Sequence, residues 1–284
     1  MHKKQVSSTA ILTNEVRASH QSTASYPKVL ADPVAVEFSK HFEGSPALAA
    51  FSMLSKPLLA VLESALVLRN RYAEDVFQEV ASRANCQYAI LGAGFDTFAF
   101  RQPDWAAKTP IIEIDHPTTQ DAKREILVET GYSLPENLIL CPIDFRTTSL
   151  HDALSATSFD FEVPTVFSWL GVTQYIAQDA IRSTLEFVLT LPASTTIVLS
   201  FIPPGSMLSD EDRGYVETFE IPAAAKGEPF ISRFQPKELQ DSIREMGFSE
   251  VYHLTPEVAQ ERYFMNRDDN LKAPVLEQLI RATV

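Results

Sequence analysis

The stretch YAILGAGFDTFAFR, Tyr88 to Arg101, reads as a strand that runs into a glycine turn and then a helix. Gly92 and Gly94, two of the nine glycines in the chain, stand in that turn with Ala93 between them. Glycines let a backbone approach a ligand closely because no Cβ intervenes. A helix beginning after Gly94 would offer its first unpaired N–H groups to the same ligand. Dinucleotide folds use G-x-G-x-x-G at such a turn so that a pyrophosphate can come near. Here the third glycine is missing and Asp96 sits in the turn. The turn alone reads equally well as a tight corner.

Two further acids change the balance. The next apolar run ends IIEID, placing Glu113 and Asp115 a little over twenty positions beyond Gly92, where an acid can accept both hydroxyls of a ribose. The third run ends at Asp144, and a carboxylate there can accept an adenine amino group. Glycine, acid and acid thus stand at three successive strand ends, and an open parallel sheet binds its ligands outside those ends. This order favours a nucleotide or nucleoside. Asp96 would repel a pyrophosphate but suits a cofactor bearing positive charge, as S-adenosylmethionine does on its amino group and its sulfonium.

The elements that must position these residues follow from periodicity. Residues 1–70 read as mostly helical, with apolar residues at helical spacing around Val34, Phe38 and Phe42 and again through Leu58, Leu62, Ala65 and Leu66. From residue 73 the rhythm changes to a helix over 73–84, and short apolar runs then alternate with helices. The runs are YAILG, TPIIEID, NLILCPID, PTVFSWLG and STTIVLSFI, and the helices span 118–131, closed by Gly131, and 178–189. Strands that are apolar throughout, alternating with helices, predict an α/β fold with a parallel sheet covered on both faces. Residues 203–229 show no clear period and read as an irregular lid or binding element. A helix over 236–248 follows, begun by Pro236 and ended by Gly247, and then a plausible strand, SEVYHLT. No linker or internal repeat divides the chain. It reads as one domain over 1–284, with an N-terminal helical cap (1–70), a cofactor-binding core (73–202), a lid (203–235) and a C-terminal completion of the core (236–284).

Bulk properties narrow the function. The 284 residues, 45% of them hydrophobic, suffice for one large core. A formal charge of −13 repels phosphate backbones and anionic lipid heads, so neither nucleic acid nor membrane is expected as partner. Cys86 and Cys141 stand alone, giving no zinc site and no disulfide framework. Free thiols fit a reducing cytoplasm, which is the expected compartment. The opening MHKKQVSST has a signal-like pair of lysines but no apolar core after it. PLLAVLESALVL (57–68) is too short to span a bilayer and is interrupted by Glu63.

The chain resembles the leucine carboxyl methyltransferase family of S-adenosylmethionine enzymes, and most closely the bacterial branch that includes polyketide-type O-methyltransferases. The resemblance rests on GAGFDTFAFR and WLGVTQYI, which are specific, and on weaker pieces that run in order along nearly the whole chain. These are TAILTNEVRA (9–18), ADP (31–33), LRNRYAEDVF (68–77), EIDHP (113–117), CPIDF (141–145), GEPFISRF (227–234) and RYFMNRDDNL (262–271). It implies a Rossmann-like methyltransferase sheet, mostly parallel with an antiparallel final strand, under N-terminal helices and an inserted lid. It also implies that Arg71 meets the cofactor carboxylate, that Gly92, Ala93 and Gly94 approach its methionine part, that Asp115 holds the ribose, and that Asp144 and Phe145 flank the adenine. Leu170 stands where members that methylate a protein C-terminus carry a glutamate that contacts the cofactor. Leucine there matches the small-molecule branch.

The expected activity is therefore S-adenosylmethionine-dependent, in-line O-methylation of a hydroxyl or carboxyl on a small-molecule acceptor, with no metal. Self-association is compatible with this reading. A carboxylate acceptor needs no base, whereas an alcohol or phenol benefits from one. His20, His41, His116, His151, His253 and Tyr175 are the candidates. His116 adjoins the ribose acid, and Tyr175 opens the helix after the fourth strand, where it either lines the active site or simply packs. Phe219, Phe230 and Phe234 are candidates to line the lid, with Arg233 in a surface ion pair. Three other readings stay open. They are a protein or peptide carboxyl methyltransferase, a nicotinamide oxidoreductase, and a non-catalytic S-adenosylmethionine binder.

Overall fold

The apolar runs pair into one sheet. In the computed structural model, which describes residues 7–145, 147–225 and 227–284, seven strands lie in the order β3-β2-β1-β4-β5-β7-β6. β1 (Gln87–Leu91), β2 (Ile111–Asp115), β3 (Leu138–Pro142), β4 (Thr165–Trp169) and β5 (Thr196–Phe201) pair in parallel. β7 (Gln278–Thr283) runs antiparallel to β5 and to β6 (Glu250–Leu254). The sheet is thus the mixed α/β, mostly parallel one expected, with its antiparallel strand formed last in sequence. Every residue of β1, β4 and β5 is buried, as strands covered on both faces require. No single described helix is long and apolar enough to cross a membrane. Most of the signal-like opening segment lies outside the described residues.

Four helices come before the sheet: α1 (Ser8–Thr23), α2 (Pro33–Ser39), α3 (Pro46–Ser52) and α4 (Lys56–Ala81). The sequence suggested a break near residue 70, but α4 is one helix of 26 residues. The rhythm changes because the helix is wedged between two neighbours. It packs on α1 and also on β4 and β5, so every residue from Ser64 to Leu68 is buried and the single apolar stripe blurs.

The helix expected after the glycine turn is only one turn long, α5 (Phe98–Arg101). α6 (Pro117–Thr130) ends at Gly131 in the left-handed conformation and α8 (Gln178–Leu189) lies where periodicity placed it, while α7 (Leu150–Ser155) was not anticipated. The stretch read as irregular contains a 16-residue helix, α9 (Asp210–Ala225). It shows no apolar period because Val216 is its only buried residue, and Pro222 lies inside it. Its start was legible all the same. The Ser209 hydroxyl accepts the Asp212 N–H at 3.0 Å and donates to the Asp212 carboxylate at 2.6 Å, and three acids fill the first turn. α10 (Pro236–Met246) and α11 (Pro256–Ala259) complete the set.

Candidate active site

A cavity of about 1050 Å³ opens at the carboxyl ends of β1, β2 and β4 and beside the segment that follows β3. α1 and α4 wall one side, α8 and the segment 227–231 another. Of the residues singled out from sequence, Gly92, Ala93, Gly94, Asp115, Asp144, Phe145, Leu170 and Tyr175 all line it. Arg71 does not.

The turn after β1 is held by its backbone. The N–H groups of Gly92 and Ala93 donate to the Ile114 carbonyl at 2.8 and 3.1 Å. Gly92 and Gly94 have φ of +71° and +54°, where a side chain is strained. A Cβ on Gly92 would lie 2.6 Å from Val172, so the close approach of the segment after β4 also demands glycine there. The Gly94 N–H donates to Asp115 Oδ2 at 2.6 Å, and Asp115 Oδ1 accepts the His116 N–H at 2.6 Å. The acid of the second strand is therefore fixed to the glycine turn itself. Burial pushes the Asp115 carboxyl above its ordinary range, and these N–H bonds oppose the shift. Asp96, also in the cavity wall, accepts the Phe98 N–H at 2.7 Å and so starts α5.

Glu113, the other acid of IIEID, serves structure. It is fully buried, pairs with Lys123 at 2.5 Å and does not line the cavity. Asp144 lies two residues beyond β3, 3.8 Å from His116 Nε2. Phe145 beside it is a half-exposed ring on the cavity wall.

The arginine assignment needs correction. Arg71 donates to Asp75 at 2.7 Å on a different face of α4, in a surface cleft with Arg262 and Arg267. Two residues are about 200° around a helix, so Arg69 faces the cavity instead. Arg69 Nη1 donates to Glu277 at 3.0 and 3.2 Å, while its buried Nε finds no acceptor among the described residues. The LRNR spelling offers two arginines; nothing in their types separates them, and only the helix phase does.

Among the candidate bases, His116 and His151 line the cavity. His20 is buried against Glu63 at 2.7 Å, His41 pairs with Glu129 at 2.8 Å, and His253 bonds Gln278 at 2.8 Å, all three outside it. Tyr175 stands in the wall, edge-on to Phe230 at 5.0 Å between ring centroids. Burial raises its hydroxyl above the ordinary phenol value, with the neighbouring Thr9 of α1 acting against the shift. At neutral pH it is a donor and not a ready base. The segment after α9 is stitched to the Tyr175 segment by the N–H groups of Ile231 and Ser232, both donating to the Gln174 carbonyl. Of the lid candidates, Phe230 meets Tyr175, Phe234 packs against the sheet core, Phe219 does not line the cavity, and Arg233 pairs with Glu220 at 2.6 Å. Ser7, Thr9, Ala10 and Thr13 of the N-terminal segment, Glu228, and Arg17 also line the cavity and were not anticipated. Among the described residues no group of three or more His, Cys, Asp or Glu is placed to hold a metal.

The family model for leucine carboxyl methyltransferases matches residues 10–189. A Bacillus subtilis protein, provisionally named an S-adenosyl-L-methionine-dependent methyltransferase, is 32% identical over 206 residues, covering 72% of this chain and 67% of its own. A Mycobacterium avium protein with the same provisional name is 29% identical over 167 residues, so that the match spans little more than half of each: 58% of this chain and 54% of the relative. Among solved structures, a Thermobifida fusca protein described provisionally as a methyltransferase superposes with a TM-score of 0.57 at 14% identity, covering 99% and 96% of the two chains. A DUF574-family protein from Streptomyces avermitilis gives 0.56 at 13%, covering 97% and 96%. At these identities the structural match is one of fold.

Proposed function

The chain belongs to the leucine carboxyl methyltransferase family of S-adenosylmethionine-dependent methyltransferases, and from that premise we propose that it methylates an oxygen of a small, largely apolar acceptor. The observation that carries the proposal is the reach of the cavity. It runs from Asp144 and Phe145 past the glycine turn to Tyr175, Ile176, Phe187 and Ile231. Small-molecule pockets usually hold roughly 300–1,000 Å³, and about 1050 Å³ accommodates a cofactor with a compact acceptor beside it. Its far wall is aromatic and aliphatic, and Leu170 adds to it an apolar side chain in place of a carboxylate.

The residues present fit the cofactor. The bare backbone of Gly94, where a Cβ would meet only Ala10 at 3.4 Å, leaves room for its methionine part. Arg69, in the cavity wall, would supply a cationic donor for its carboxylate. Asp115 would take the ribose, Asp144 the adenine amino group, and the half-exposed ring of Phe145 the adenine ring. When bound, the cofactor supplies an activated methyl group. The chain holds the acceptor oxygen within roughly 3–3.5 Å of it and keeps water away, tasks that fall to α1 and the segment 227–231. Tyr175, protonated and packed edge-on to Phe230, would donate a hydrogen bond that orients the acceptor oxygen. His151, in the wall near Phe187, would receive a hydroxyl proton where the acceptor has one.

The test is transfer of labelled methyl from S-adenosylmethionine to a panel of phenols, alcohols, small carboxylic acids and peptides with free C-termini. Labelled small molecules support the proposal, and brief mild base separates esters, which release the label, from ethers, which keep it. Label confined to peptides would sink it.

A further inference from the structure

The carbonyls of the cofactor turn are held by two buried cations that come from two different helices. Lys123 of α6 reaches the Asp96 carbonyl at 2.5 Å from its buried pair with Glu113, within the core. Arg17 of α1 reaches the Phe95 carbonyl at 2.6 Å and the Thr97 hydroxyl at 3.3 Å, from the N-terminal helices. Arg17 is 3% exposed and Asp32, its partner at 2.9 Å, is 0% exposed. The Arg17 Nε adds a bond to the Thr13 carbonyl at 3.4 Å. Asp32 is itself shared, accepting the Ala35 N–H at 3.1 Å at the start of α2 and lying 3.5 Å from Arg101, which binds Thr97 and Glu74.

A buried guanidinium is tolerated only while its donors are satisfied. Two of the acceptors that satisfy Arg17 belong to the turn. If α1 moves off, the turn loses its tie at Phe95 and Thr97; if the turn shifts, a buried cation on α1 loses partners. The same helix also lines the cavity through Thr9, Ala10 and Thr13. We infer that Arg17 is a positioning residue for the cofactor turn, and that through it α1 and the turn close together on the cofactor. The inference rests on the reading of this cavity as the S-adenosylmethionine site. Coupling of this kind is reciprocal: cofactor binding steadies α1, and loosening α1 weakens cofactor binding.

The experiment is titration calorimetry with S-adenosylhomocysteine together with hydrogen exchange, on the unsubstituted chain, Arg17→Lys, Arg17→Met and the exposed α1 control Ser22→Ala. The expected result is saturable binding to the unsubstituted chain and to Ser22→Ala, with slower exchange of the α1 amides on binding. Arg17→Met weakens binding about tenfold or more, within the usual range of site-to-site coupling, and loses the α1 protection. Arg17→Lys, which keeps the charge beside Asp32 but lacks the forked donors, falls between. If folded Arg17→Met or Arg17→Lys binds like the unsubstituted chain, or if binding leaves α1 exchange unchanged, Arg17 only stabilises the fold and the inference is overturned. If the unsubstituted chain does not bind S-adenosylhomocysteine, the cofactor reading itself fails and takes the inference with it.

Discussion

The Arg69 guanidinium lies against the bare Cα of Gly171, so close that a Cβ built on Gly171 would sit 2.4 Å from Nη1. Gly171 also has a φ of +70°, a conformation that costs an L side chain roughly 1–2 kcal/mol. Gly171→Ala therefore combines backbone strain with displacement of Arg69. Binding of S-adenosylhomocysteine should weaken by about ten- to a hundredfold, the scale of a charged hydrogen bond. Gly131→Ala is the control, with φ of +73° and nothing within 4 Å of its Cβ. It should show only the backbone cost in a melting curve and normal binding in calorimetry.

The two arginines of LRNR should separate cleanly. Arg69→Met removes a cationic donor from the cavity wall and unpairs Glu277, so cofactor affinity should fall at least tenfold, as loss of a charge-assisted bond implies. Arg71→Met removes an exposed ion pair with Asp75 and should change both affinity and stability by under about 1 kcal/mol. Equal loss in both variants, measured by calorimetry, would restore Arg71 to the site.

Tyr175→Phe distinguishes a hydrogen-bond donor from a base. Loss of a neutral donor costs about 0.5–1.5 kcal/mol, or about two- to tenfold in rate, whereas loss of a general base costs about 10²–10⁴-fold. The smaller loss is expected, with unchanged binding of S-adenosylhomocysteine. The pH–rate profile should keep its shape, because the hydroxyl is already protonated across the neutral range.

Glu113 should impose a pH dependence on stability. Burial, with Asp96 and Asp115 near, pushes its carboxyl from the ordinary 4.5 up to about 7, against the pull of Lys123. Between those values the folded chain holds a proton that the unfolded chain has released. Stability attributable to this group is full below 4.5 and falls as pH rises toward 7, by up to about 1.4 kcal/mol per pH unit for one proton. Denaturant unfolding across this window should show a shallower slope in Glu113→Gln than in the unsubstituted chain. An identical slope would mean that Lys123 keeps Glu113 ionised throughout.

The strands and the acids at their ends were legible because apolar runs and strand-end positions are local properties. YAILG, IIEID, NLILCP, TVFSW and TIVLSF each became a strand, and Gly94 and Asp115, spaced by one strand–helix–strand repeat, met through a hydrogen bond. What escaped was set by tertiary packing. Arg69 and Arg71 are the same residue type two positions apart, and only the burial of α4 decides which one turns inward. α9 has no apolar period because it buries little. Arg17 and Asp32 look like ordinary surface charges in TNEVRA and ADP until α1 and α2 fold over the glycine turn. β7, QLIRAT, alternates too weakly to stand out before β5 and β6 flank it.

The position of β7 has a consequence for synthesis. It is made after β6 yet lies between β5 and β6. While the chain emerges from the ribosome, β5, buried along its whole length in the finished sheet, must wait with an open, apolar edge through more than seventy further residues. An unpaired edge of that kind invites pairing with another nascent chain. The window of risk closes only when β7 inserts, so slow translation over residues 202–277 should lower soluble yield even though it alters no residue of the folded enzyme.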